Sequence, residues 1–179
     1  RSGTIPAGDG SFVDAKVYMS GGLIDVKDDL AFGSVDQSGG TIRNGGANAL
    51  TGTFSIGNGN VLSNLTGGIM NVYGNTSGDR GLGFYGPTTA TTSHTINIQA
   101  NPTNNKPYVA SGIVAEVGNL TFNASSVLNY GNSNSMLKVK GDLTINSAAT
   151  FNGNNNSFSV AGNWANNGTF TPGTGTVTF

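Results

Sequence analysis

The chain has 179 residues, 36% of them apolar and only 9% charged, with a formal net charge of −1 and no cysteine. That composition excludes disulfides and thiolate metal sites, and it excludes the basic surface that neutralises phosphates, so nucleic acid is not an expected partner. No run reaches the roughly 18 apolar residues of a membrane-spanning helix, and a chain this poor in charge and proline is not the usual disordered one.

Gly (29) and Asn (24) dominate instead. Gly supplies positive φ, and Asn tolerates the left-handed region while bonding its own backbone. Good helix formers are scarce, with one Glu (Glu116) and two Gln (Gln37 and Gln99), and no window sustains a 3.6-residue apolar period. The expectation is many short strands joined by tight turns.

In chain order, Val13, Ala15, Val17 and Met19 alternate with Asp14, Lys16 and Tyr18, the period of a strand with one buried face. Gly22-Leu23-Ile24-Asp25-Val26, Gly40-Thr41-Ile42-Arg43 and Gly68-Ile69-Met70-Asn71-Val72-Tyr73 share a glycine followed by apolar residues and fit successive coils. The Gly/Thr/Ser-rich stretch 74–93 is expected to project from the body, as is the loop Asn101-Pro102-Thr103-Asn104-Asn105-Lys106-Pro107. Between them Thr95–Gln99 reads as a strand with Ile96 and Ile98 inward, and Tyr108–Val117 as one longer apolar segment.

The clearest signal is a repeat over residues 118–179. Gly118-Asn119-Leu120-Thr121-Phe122-Asn123 is echoed by Gly141-Asp142-Leu143-Thr144-Ile145-Asn146, and Gly162-Asn163-Trp164 opens a third copy. A second element links Val127-Leu128-Asn129 to Thr150-Phe151-Asn152 and to Gly168-Thr169-Phe170, and a third links Leu137-Lys138-Val139 to Phe158-Ser159-Val160 and Val177-Thr178-Phe179. Each unit of 21–23 residues is therefore three short strands. One such coil cannot bury its own face, but stacked coils can. The fold expected is a single all-β domain over 1–179, a right-handed parallel β-helix or β-solenoid. A β-sandwich is the alternative, because hairpin spacing looks similar. In successive coils Asn123 should stack on Asn146, and Asn129 on Asn152, as amide ladders. The closing strand pattern Thr176-Val177-Thr178-Phe179 carries no polar cap, which predicts a fragment of a longer chain or a subunit docked on a neighbour.

The run from Gly162-Asn163-Trp164 through Asn166-Asn167-Gly168-Thr169-Phe170 to Val177-Thr178-Phe179 resembles repeats of large secreted Bacteroidota surface proteins. Those chains are adhesin-like and often exported by the type IX system. The resemblance covers about the last 62 residues and implies a secreted, cell-surface location. It also implies a structural or adhesive role, with a glycan or protein ligand or with self-association.

Little here supports catalysis. Nucleophilic chemistry needs a base beside the nucleophile, and the only histidine, His94, lies in a Thr/Ser-rich stretch where it reads as an exposed strand-edge residue. The single acidic cluster is Asp25, Asp28 and Asp29, with Asp36 nearby. It is the candidate Ca2+ site, although adjacent carboxylates point to opposite faces of a strand. No other cofactor is expected. Phe84 and Tyr85, in the stretch expected to project, are the candidate ligand contacts, whereas Trp164 replaces Leu120 and Leu143 and is expected in the core. Two rival readings remain: a self-assembling extracellular filament subunit, and a fragment of a polysaccharide-active β-helix enzyme.

Overall fold

The computed structural model describes residues 10–26, 30–44, 53–73, 81–99 and 107–179. In chain order the strands begin with β1 (Gly10–Val26), β2 (Leu30–Asn44), β3 (Phe54–Ile56), β4 (Ser63–Val72), β5 (Leu82–Phe84) and β6 (Thr88–Ala90). They continue with β7 (His94–Ile98), β8 (Pro107–Val109), β9 (Val114–Val117), β10 (Asn119–Phe122), β11 (Ser126–Val127), β12 (Asn129–Tyr130) and β13 (Met136–Val139). The last are β14 (Leu143–Ile145), β15 (Thr150–Asn152), β16 (Phe158–Val160), β17 (Trp164–Asn166), β18 (Thr169–Thr171) and β19 (Val177–Thr178). No helix occurs among the described residues, and so none long and apolar enough to cross a membrane.

Every strand pair is parallel. Parallel neighbours cannot be joined by a hairpin, so each needs a crossover. This chain supplies it by winding as a right-handed β-solenoid, the coil of one turn lying on the coil before. The β-sandwich is thereby excluded.

The coils make three walls. The first runs through the openings of β1 and β2, then β3, β5, β8 and β12, and is carried on by the separate sheet β11–β15–β18. The second runs through the middle of β1 and β2, the start of β4, then β6, β9, β13, β16 and β19. The third takes the ends of β1, β2 and β4, then β7, β10, β14 and β17.

Alternation along each strand sends every second side chain inward, and register stacks those side chains into columns. On the third wall Ile24, Ile42, Met70, Ile96, Leu120, Leu143 and Trp164 are in line, and Ile42 through Leu143 are buried. Each fully buried Leu, Ile or Phe contributes about 1.5–3 kcal/mol relative to exposure. Aromatic stacking ties the walls together across the C-terminal coils. Phe122 lies on Phe151 with centroids 4.3 Å apart and planes 16° from parallel, and Phe151 meets Phe158 edge-on at 5.4 Å.

The corner between the second and third walls explains the shared glycine openings. Gly22, Gly40 and Gly68 stack there with φ of 83°, 74° and 89°, left-handed backbone that other L residues rarely adopt. Space is as restrictive as φ: a Cβ on Gly40 would come within 2.7 Å of the backbone of Gly21 and Gly22. The column continues through His94, which pairs with Gly68, to Gly118, Gly141 and Gly162.

Several local expectations are corrected. Phe84 and the segment 82–90 do not project: β5 and β6 are wall strands, and Phe84 is 0% exposed because it alternates inward beside Leu82. Residues 74–80 of that stretch, and the loop 101–106, lie outside the described residues. Tyr108–Val117 is two strands on two walls, since the chain turns a corner at Gly112 with φ of 74°. Ala15 is exposed, because the register of β1 on β2 slips between Phe12 and Lys16. Asn129 does not stack on Asn152. The first wall steps at Leu128, pairing upward through Asn129 with Tyr108 and downward through Val127 with Asn152.

Candidate functional site

The outward faces are knitted by side-chain amides. On the third wall Asn97 Nδ2 and Gln99 Nε2 donate to Asn71 Oδ1 at 3.0 and 3.1 Å. Asn123 Nδ2 donates to Gln99 Oε1 at 3.1 Å, and Asn146 Nδ2 donates in turn to Asn123 Oδ1. Each coil thus donates to the one before it, and the Asn123–Asn146 ladder is present. A parallel line runs from Asn119 to Asp142 and Asn163 through backbone and amide donors at 2.8–3.1 Å. These groups are largely spent on one another, so the ladder is wall rather than a free recognition surface.

His94 is where sequence reading went furthest astray. It is fully buried, not exposed. It occupies the one slot of the corner column that is not glycine, and its ring turns into the core. Gln37, buried from the second wall, places Nε2 at 3.2–3.3 Å from the carbonyls of Gly39, Gly40 and Ile69. Its Oε1 therefore faces His94 Nε2 at 3.1 Å, which must carry the proton and donate it. Nδ1 is left as a buried lone pair with no partner. Burial lowers the imidazole pKa to about 4, so the ring is neutral at pH 7. The ring is enclosed at the corner against Gln37.

Asp25 forms an ion pair with Arg43 of the next coil at 2.6 Å. Asp28 and Asp29 lie outside the described residues. Asp36 bonds Lys16 at 2.9 Å and accepts from the Asn64 side chain at 2.8 Å. Burial pushes its carboxyl up, but those two partners outweigh burial and hold it below the usual carboxylate value. Among the described residues no three His, Asp or Glu gather as a metal cluster. Tyr85 is half-buried, its ring 5.5 Å from that of Tyr108. Trp164 aligns with Leu143 as expected but is only partly buried, stacking 6.0 Å from Phe158.

Two of the surface grooves are lined by described residues. The first, about 300 Å3, lies between Tyr18, Asp36, Asn64 and Thr66 on the second wall. Asp36 and Asn64 are paired as above, and Thr66 Oγ1 donates to the Gln37 carbonyl at 3.3 Å. The second, about 480 Å3, opens at the corner between the first and second walls, where the turn 131–135 faces the turn 153–157 of the next coil. Tyr130 creates it. Its hydroxyl accepts from Leu137 N at 2.8 Å and donates to the Ser157 carbonyl at 2.6 Å, so the phenol stands between two coils that elsewhere bond directly. Burial pushes that phenol up to about 12, against the opposing bond from Leu137.

No family model, no curated protein and no solved structure matches this chain. The geometry therefore stands alone as the guide to function. It brings together Tyr130, Ser133, Asn155 and Asn156, none of which the sequence reading singled out. The available signal was the run Asn154-Asn155-Asn156, because Asn154 and Asn155 take left-handed φ of 50° and 63° to make the tight corner.

Proposed function

We propose that this chain is a non-enzymatic structural and adhesive segment of a secreted bacterial cell-surface protein. The carrying observation is the outer amide ladder Asn71–Gln99–Asn123–Asn146 laid over a continuous apolar core. A column bonded coil to coil, inside by packing and outside by side chains, is suited to act as a stiff, protease-resistant spacer. The composition is consistent with this, because the outer surface is kept soluble by amides and hydroxyls rather than by the convergent titratable groups of an active site. Placement at a bacterial surface rests on the resemblance of residues 162–179 to Bacteroidota surface repeats.

A filament subunit is the second reading. Its support is that each coil pairs with the next by parallel backbone bonds, the same contact by which separate copies would stack. Negative-stain electron microscopy of the purified chain over a concentration series separates the two. Short rods of constant length favour the spacer, filaments that lengthen with concentration favour the subunit, and round particles defeat both. Immunogold labelling of intact producing cells tests the location, and label confined to the cell interior would sink it.

A further inference from the structure

The groove beneath Tyr130 has a chemistry that selects its ligand, and we propose that it binds a neutral saccharide. Four corner turns stack along this edge of the solenoid: 110–113, 131–135, 153–157 and 172–176. The first two are tied directly, by Gly112 N to Asn132 Oδ1 at 3.1 Å and Ser135 Oγ to the Ala110 carbonyl at 2.8 Å. The last two are tied directly as well, by Thr174 N to Asn155 Oδ1 at 2.7 Å and Thr176 N to Ser157 Oγ at 3.0 Å. Between 131–135 and 153–157 themselves no direct bond runs; the two coils are joined across this interval by the Tyr130 phenol to the Ser157 carbonyl and by the Asn154 and Asn156 amides to Asn129 Oδ1 and the Leu128 carbonyl.

That interval of about 480 Å3 falls in the size range of small-ligand sites. Its lining is uncharged throughout. A phosphate, carboxylate or ammonium ligand would find no counter-charge there, which excludes the usual ionic ligands. Apolar contact is limited to Tyr130 and Met136, too little for a hydrophobic guest.

What remains is a set of neutral donors and acceptors. The Ser133 hydroxyl and the Asn155 Nδ2 make no bond to the described protein. Asn156 spends Nδ2 on the Leu128 carbonyl and keeps Oδ1, and Ser157 accepts through Oγ and keeps its proton. Such groups beside a phenol ring match the hydroxyls and the C–H face of a sugar.

The site supplies the ligand class for the adhesive reading and rests on it. The test is titration of the 15N-labelled chain with maltotriose, cellotriose and chitotriose, with trigalacturonate as the anionic control, followed by amide shifts. At least one neutral trisaccharide is expected to give saturable shifts confined to 131–135 and 153–157. Ser133→Trp, at a residue bonded to nothing, should abolish them while leaving the circular dichroism spectrum intact. Asn155→Asp, which keeps the acceptor for Thr174, should weaken binding about fivefold for one lost hydrogen bond. The proposal is overturned by silence from all three neutral sugars, by shifts elsewhere, by equal binding of trigalacturonate, or by a Ser133→Trp chain that still binds. Beads coated with Ser133→Trp chain that adhere as well as wild type would remove this site and leave the adhesive reading standing. Wild-type beads that never adhere would remove the adhesive reading itself.

Discussion

Acidification should weaken this solenoid through His94. The folded imidazole has a pKa of about 4, against an ordinary value of 6.5. The unfolded chain therefore takes up a proton from pH 6.5 downward that the native chain refuses until about pH 4. Stability is flat above that window, falls through it, and levels off below. At about 1.4 kcal/mol for each unit of pKa difference, the loss across the window is about 3 kcal/mol. Asp36 has linkage of the same sign in a lower window. Its carboxyl is held below the ordinary 3.8, so its contribution is lost only at lower pH. The assay is urea unfolding at half-unit intervals from pH 7.5 to 4, followed by circular dichroism, on wild type and His94→Gln. The variant carries no titrating ring at the corner, so the difference between the two curves isolates the imidazole. That difference should shift by about 3 kcal/mol, in the variant's favour as the pH falls. Curves that stay parallel from pH 6.5 to 4 would show that the ring is hydrated in the folded protein, and the buried Gln37–His94 pair would be refuted.

Other substitutions probe the remaining layers. Gly118→Ala places a Cβ onto the carbonyl oxygens of His94 and Thr91, both backbone atoms that cannot swing aside, and should cost about 3 kcal/mol in a thermal or urea melt. Phe151→Ala empties the centre of the aromatic stack that joins Phe122, Phe158 and Phe170 and should cost about 4 kcal/mol. Asn123→Ala removes two rungs of the outer ladder, but water can replace them on a half-exposed face. A loss of only about 1 kcal/mol is expected from the same melts. A larger loss from Asn123→Ala than from Phe151→Ala would invert the division between core and ladder.

Period and alternation were legible in the chain itself. The offsets between Leu120, Leu143 and Trp164, and between Leu137, Phe158 and Val177, appear unchanged as rungs in register. They are local facts: a strand pattern of period two, cut by Gly and Asn turns, can bury its apolar side only by stacking on a copy of itself. The Asn123–Asn146 ladder followed from the same repeat. Tertiary structure alone decided the rest. In sequence His94 stands among Thr and Ser like a surface residue, and only stacking on Gly68 and the approach of Gln37, 57 residues away, turns it inward. Phe84 sits in a Gly/Thr-rich stretch, yet the wall closes over it. The Tyr130 groove depends on how two successive turns are spaced, and spacing between coils is set by which atoms meet across them. No single coil carries that information.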